Sequence, residues 1–293
     1  METSSNKYIW GYVILPIVLT FQVQEIRAQY FSAPSERPLI TETIHSGDLS
    51  VNLAAAVGAL TLSIWGQRVL GHPSPSIGAP SEGSYDLRFS YSATPLFDPK
   101  QQWLGGLPDY MGYVAPIIGS VYYVSASFLN DRDWRRGSIH EAYAFAQTIA
   151  WTQFITTSLK YLVGRERPFV VRAQRDGFSV DDVKMRTSER LLSFPSGHSS
   201  TIAATSFFIA ADLSDFLVND LLKNQVSSTQ VLIGRVLPYS AALITSWFVM
   251  YGRIKDQRHW LSDTLAGGLI GMGAALLIYH TRFDSAGEPH RAR

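Results

Sequence analysis

Long uncharged, mostly apolar stretches alternate with short charged segments along this chain, and no strand-like alternation of apolar and polar positions is sustained. Six such runs follow residue 48: Leu49–Gln67, Tyr110–Asn130, Ala142–Leu159, Leu191–Ala211, Val236–Gly252 and Thr264–Thr281. Coiled at about 1.5 Å per residue, runs of this length approach the thickness of a bilayer's hydrocarbon core, about 30 Å. The pattern predicts an all-α fold, a six-helix bundle. Two runs are less apolar than the rest. Ala142–Leu159 holds Gln147, Gln153 and several threonines, and Leu191–Ala211 is rich in Ser and Thr. Such content suits buried helices of a soluble bundle, and equally the close helix packing found inside membranes.

The ends read differently. Lys7 precedes an uncharged, mostly apolar run, Tyr8–Val23, and a polar stretch with Ala28 follows. Residues 1–28 fit a secretory signal peptide cut near Ala28, or an uncleaved N-terminal anchor. Residues 29–48, polar with two prolines, read as a linker. Residues 49–283 form the helical domain, and 284–293 a polar tail. The Pro/Gly/Ser-rich loop Arg68–Asp109 contains Asp86-Leu87-Arg88, and reads either as a flank of a functional site or as a solvated connector.

Composition narrows the partners. A formal net charge of +1 gives no global field for nucleic acid. The absence of cysteine excludes disulfides, thiol nucleophiles and thiolate metal sites. Outside the motifs described next, no His/Asp/Glu cluster has metal-ligand spacing.

Three short segments carry the chemistry. They are Lys160-Tyr-Leu-Val-Gly-Arg-Glu-Arg167-Pro168, Pro195-Ser196-Gly197-His198, and Arg253-x5-His259-x3-Asp263. Lys160, Arg167 and Arg253 are cations able to neutralise phosphate oxygens, the arginines bidentately. His198 and His259 can transfer a proton or attack phosphorus. On a helix, the four-residue step from His259 to Asp263 brings the carboxylate beside the imidazole, where it can fix the tautomer. Gly197 lets backbone approach an anion closely at a helix start, and Ser196 offers a further hydrogen bond. Arg165, Glu166 and Arg258 lie between these positions and read as solvated loop charges.

In this order the three segments resemble the motifs of the type 2 phosphatidic acid phosphatase and vanadium haloperoxidase superfamily. The resemblance spans roughly residues 141–280. One position departs from the pattern: Gly252 stands where the family has serine, which removes a hydroxyl able to contact phosphate. The resemblance implies a six-helix bundle with its site at the helix ends on one side. It implies a metal-independent phosphatase acting on a phosphomonoester or pyrophosphate, with a lipid-linked substrate, without a cofactor. His259 is then the nucleophile that forms a phosphohistidine, Asp263 supports its ring, and His198 is the general acid. Lys160, Arg167, Ser196, Gly197 and Arg253 bind the phosphoryl oxygens. The alternatives under the same resemblance are a vanadate-dependent haloperoxidase, in which vanadate binds His259, and a soluble periplasmic non-specific acid phosphatase. A non-catalytic lipid-binding bundle is a third class, opposed by the intact charged positions. The implied location is a bacterial-type envelope, integral to the membrane with an extracytoplasmic site. A cleaved signal followed by six spans would instead leave Lys160 on the cytoplasmic side. Either the first run is not a signal and one later run does not span, or the whole bundle lies outside the membrane.

Overall fold

The computed structural model describes residues 46–70, 80–81, 83–94, 102–129, 132–177 and 189–283, and those residues are helical with no β-sheet. Residues 1–45 and 284–293, which include the expected signal or anchor, most of the linker and the tail, lie outside them. Six long helices correspond to the six apolar runs: α1 (Ser46–Leu70), α3 (Leu107–Leu129), α4 (Arg132–Val163), α6 (Gly197–Phe216), α7 (Leu237–Lys255) and α8 (Leu261–Arg282). Two short helices sit in stretches expected to be loop: α2 (Tyr85–Ala93) and α5 (Pro168–Asp176). Local chemistry accounts for both. Ser84 caps α2, its hydroxyl accepting from Leu87 N–H. Pro168 begins α5 at the first helical position, and Gly177 ends it in the left-handed region (φ 75°).

The apolar run from Leu191 does not become helix at once. Helix α6 starts at Gly197, capped by Ser196 through Ser199 N–H. Ser46, Gly47 and Asp48, assigned above to the linker, already belong to α1. Upstream of α7 a wide π-type turn, Gln230–Val236, prolongs the helical path back to Ser227.

Successive long helices reverse direction. The C-terminal ends of α1, α4 and α7 therefore meet the N-terminal ends of α3, α6 and α8 at one end of the bundle, the end that carries all three motifs. Helix α6 is central and packs against α3, α4, α7 and α8. It meets α8 without intervening side chains: a Cβ at Gly267 would lie 2.3 Å from the Ser196 carbonyl oxygen, and one at Gly271 2.0 Å from that of Ser200. This small-residue face lets the two backbones touch and holds the start of α6 against the start of α8. The opposite end is closed by Tyr123, Phe145, Phe208 and Tyr279, all buried, with ring centroids 5.2–5.6 Å apart. Ring pairs of this kind contribute about 0.5–1.5 kcal/mol each beyond area burial.

Among the described residues, four helical stretches are long and apolar enough to cross a membrane: Asp48–Gly66, Gly197–Asn219, Ser227–Lys255 and Leu261–Arg282. This narrows the expectation of six. Helix α4 falls short because of its polar residues, and these bond neighbouring helices: Thr156 Oγ1 donates to Ser200 Oγ (3.1 Å), and Gln153 Nε2 donates to Thr201. The outer surface is apolar. Leu53, Leu60, Ile117, Leu243, Ile244, Leu269 and Leu277 are each about 60% or more exposed.

Candidate active site

A cleft of about 810 Å³ opens at the motif end, between α1, α3, α4 and the starts of α6 and α8. Lys160, Arg167, Gly197, His198, Arg253 and His259 all line it. Residues spread over a hundred positions converge because each sits at a helix terminus on the same side of an up-and-down bundle.

Each cation is fixed before any anion arrives. Lys160, in the last turn of α4, donates to the Leu192 carbonyl (2.8 Å). Burial, then Arg167, lowers its ammonium pKa to about 7, against the opposing pull of Asp263 and Glu189. Arg167 donates from Nε to the Glu189 carbonyl (2.9 Å) and from an η nitrogen to the Arg258 carbonyl (3.2 Å). Burial pulls its pKa down to about 10, so it stays charged at neutral pH. Arg253, buried at the end of α7, pairs with Asp109 of α3.

The two histidines face the cleft from different helices. His198 follows Gly197 at the head of α6, packed edge-on against the Tyr113 ring (4.4 Å between centroids), and its Nε2 has no hydrogen-bond partner among the described residues. His259 is 1% exposed and directs Nδ1 at the Ser193 carbonyl (2.7 Å). A carbonyl only accepts, so Nδ1 carries the proton and Nε2 keeps its lone pair. Burial, reinforced by Arg167, Lys160 and Arg253, holds the His259 imidazole well below its ordinary pKa. The ring is therefore neutral and able to act as a nucleophile.

Asp263 lies behind His259 rather than on it. Its Oδ2 is 3.8 Å from Nδ1. It accepts from Ser193 Oγ (2.5 Å), Trp260 N–H (2.9 Å) and Arg165 (2.6 Å). The i, i+4 spacing thus brings the carboxylate close, but the Ser193 carbonyl takes the ring proton. Ser196 also lies beneath the cleft wall. It is fully buried, and its Oγ caps α6 and accepts from Ser199 Oγ (2.9 Å). Gly252 points away from the cleft: a Cβ there would meet Pro108 at 2.3 Å and Trp103 at 3.2 Å. The missing hydroxyl of the family pattern therefore faces the start of α3, which packs directly on this glycine.

Sequence reasoning missed a layer of support. Arg165, read as a solvated charge, is 7% exposed and binds Asp86 (2.9 Å), Asp263 and Ser262. Gln257, fully buried with φ 54°, ties the α7–α8 loop to Ser90 of α2. Neither belongs to a motif that names its partner, and each has a partner on α2, Asp86 for Arg165 and Ser90 for Gln257. Arg258, also read as solvated, lines the cleft. Among the described residues no group of three or more His, Cys, Asp or Glu side chains is placed to hold a metal ion.

The profile of the PAP2 superfamily matches residues 141–286, half of the chain, and the chain belongs to that superfamily. A Drosophila melanogaster protein with the provisional name phosphatidate phosphatase is 29% identical over 170 residues, covering 50% of this chain and 42% of its own length. A PA-phosphatase related-family protein of Dictyostelium discoideum is 28% identical over 152 residues, covering 50% of each chain, and a second from that organism is 26% identical over 168 residues, covering 50% of this chain and 48% of its own length. The chain spans about half the length of the curated relatives it matches.

Proposed function

We propose that the protein is a phosphatase that hydrolyses a phosphomonoester or pyrophosphate carried by a lipid, through a phosphohistidine and without a metal. The observation that carries this reading is the meeting of three cations and two histidines in one cleft. Phosphoryl transfer asks mainly for positioning and charge neutralisation, and Lys160, Arg167, Arg253 and the N–H groups at the head of α6 supply both. In the first step the Nε2 lone pair of His259 attacks phosphorus. The bond from phosphorus to the ester oxygen breaks, and the departing oxygen takes its proton from His198. The bound phosphate's negative charge favours the protonated form of His198 beforehand. In the second step water attacks the phosphohistidine, His198 takes its proton, and orthophosphate leaves with the His259 lone pair restored. Asp263 and the Ser193 carbonyl keep the ring aimed throughout.

The apolar outer surface and the four helices of membrane-crossing length support a substrate presented from a bilayer. The names of the relatives point the same way, and since those relatives are eukaryotic, the membrane need not be a bacterial envelope. The site's placement outside the cytoplasm is part of the proposal. The deciding experiment is phosphate release from phosphatidate, a polyprenyl pyrophosphate and a soluble phosphomonoester, with EDTA present and with vanadate as competitor. Release that survives EDTA and falls with vanadate is expected. Strict dependence on added magnesium would refute the metal-free reading.

A further inference from the structure

Asp86 stands outside the matched family region, on the short helix α2, yet it is wired to the centre of the site. Its Oδ2 accepts from Arg165 (2.9 Å) and from Ser262 Oγ (2.5 Å), and its Oδ1 accepts from Ser262 N–H (2.8 Å). Arg165 donates in turn to Asp263 Oδ1 (2.6 Å). Asp263 Oδ2 accepts from Ser193 Oγ (2.5 Å), and the carbonyl of the same Ser193 receives the His259 ring proton (2.7 Å). Asp263, Ser193 and His259 are at most 1% exposed, so water competes little along this path. Asp86 itself does not line the cleft.

The geometry points to Asp86 as a positioning residue for the nucleophile, acting through Arg165 and Ser262. This inference rests on the phosphatase reading for its consequence, though not for its geometry. The physical argument is one of shared charge. Arg165 is held between two carboxylates, so its guanidinium cannot rotate onto Asp263 alone. Asp86 also satisfies the Ser262 N–H at the first turn of α8, fixing the helix from which Asp263 projects. With Asp86 neutral, Arg165 is free to shift toward Asp263, the Ser193 contact loosens, and His259 loses its fixed aim. A one-ångström error in aim is costly in catalysis. Groups that orient metal-ligating side chains from behind change activity by about 10- to 100-fold, and an imidazole aimed by the same kind of contact is expected to respond on that scale.

The test uses the full chain in detergent with Asp86→Asn, Asp263→Asn and the double variant. Two quantities are read: phosphate release, as kcat and KM, and the solvent exchange rate of the His259 Nδ1 proton by NMR. Asp86→Asn is expected to lower kcat about ten-fold with KM nearly unchanged. It is expected to add nothing further in the Asp263→Asn background, and to speed exchange of the Nδ1 proton at least several-fold. Asp86→Glu should recover part of both. Unchanged exchange in Asp86→Asn, or a kcat loss that multiplies independently with that of Asp263→Asn, would overturn the inference. If the wild type releases no phosphate from any substrate, the phosphatase reading fails, and the exchange rate still decides whether Asp86 positions His259.

Discussion

At the scale of single residues, the site is a neutral imidazole surrounded by cations, and two consequences follow for His259. On the proposed mechanism, removing His259 leaves binding but no route to the covalent intermediate. His259→Gln is therefore expected to reduce phosphate release by at least about a thousand-fold in a folded protein. Near-normal turnover in a variant with an intact melting transition would rule His259 out as nucleophile. The second consequence is a pH dependence of stability. Burial and Arg167, Lys160 and Arg253 depress the folded pKa of His259 below the unfolded value of about 6.5. A depressed histidine stays neutral when folded and gains a proton on unfolding. Its stabilising share is complete above about pH 6.5 and is lost as pH falls below it, by at most about 1.4 kcal/mol per pH unit. Melting of the wild type should therefore decline more steeply between pH 6.5 and 5 than that of His259→Gln, and parallel declines would contradict the depressed pKa. The motif residues themselves were legible in the sequence, since their types and spacing name their chemistry. Their partners were not. Arg165 has the same local sequence context whether it is solvated or buried between Asp86 and Asp263, and only the fold, which brings residues 79 and 98 positions away beside it, decides.

At the scale of elements, the long helices could be read from apolar runs because length and hydrophobicity are local properties. Helices α2 and α5 could not, because both are short and take their stability from contacts with the α7–α8 loop. Phe169 N–H donates to the Gln257 carbonyl (3.0 Å), and Ser90 bonds the Gln257 side chain. The start of Leu191–Ala211 was misplaced for a related reason: apolar composition runs through the Pro195-Ser196 cap, but helical hydrogen bonding does not. Gly252 is where element packing changes a conclusion. As a departure from the family pattern it suggested a lost phosphate contact. The structure puts Pro108 and Trp103 where that side chain would go. Gly252→Ser should then push α3 off α7, at a cost of about 1–3 kcal/mol, and lower the melting temperature without improving phosphate affinity. Since Asp109 follows Pro108 and pairs with Arg253, activity should fall as well. Tighter phosphate binding at unchanged stability would show that position 252 faces the cleft after all.

At the scale of the whole molecule, the decisive feature is that one end of the bundle is polar and carries the candidate site while its flanks are apolar. The cleft is walled on one side by Leu62, Ser63 and Ile64 of α1, and on another by Gly112, Tyr113 and Pro116 of α3. The outward faces of those same helices carry exposed Leu60, Ile117 and Val121. A phosphate group bound at Lys160, Arg167 and Arg253 would thus have apolar surface beside it, continuous with the apolar outer face of the bundle. Under the proposed function, an enzyme arranged this way would meet a long-chain substrate by two-dimensional diffusion within the bilayer or micelle that holds them both. Its rate should then follow the mole fraction of lipid phosphate in that phase and not its bulk concentration. Diluting phosphatidate ten-fold with a neutral detergent or lipid, at fixed bulk concentration and below saturation, is expected to lower the rate nearly ten-fold. A short-chain phosphate that dissolves in water should be almost indifferent to the same dilution. The measurement is phosphate release for both substrates across a series of detergent concentrations. A long-chain rate that tracks bulk concentration alone would mean that substrate enters from water, and that the apolar skin serves to anchor the protein and takes no part in delivering its substrate.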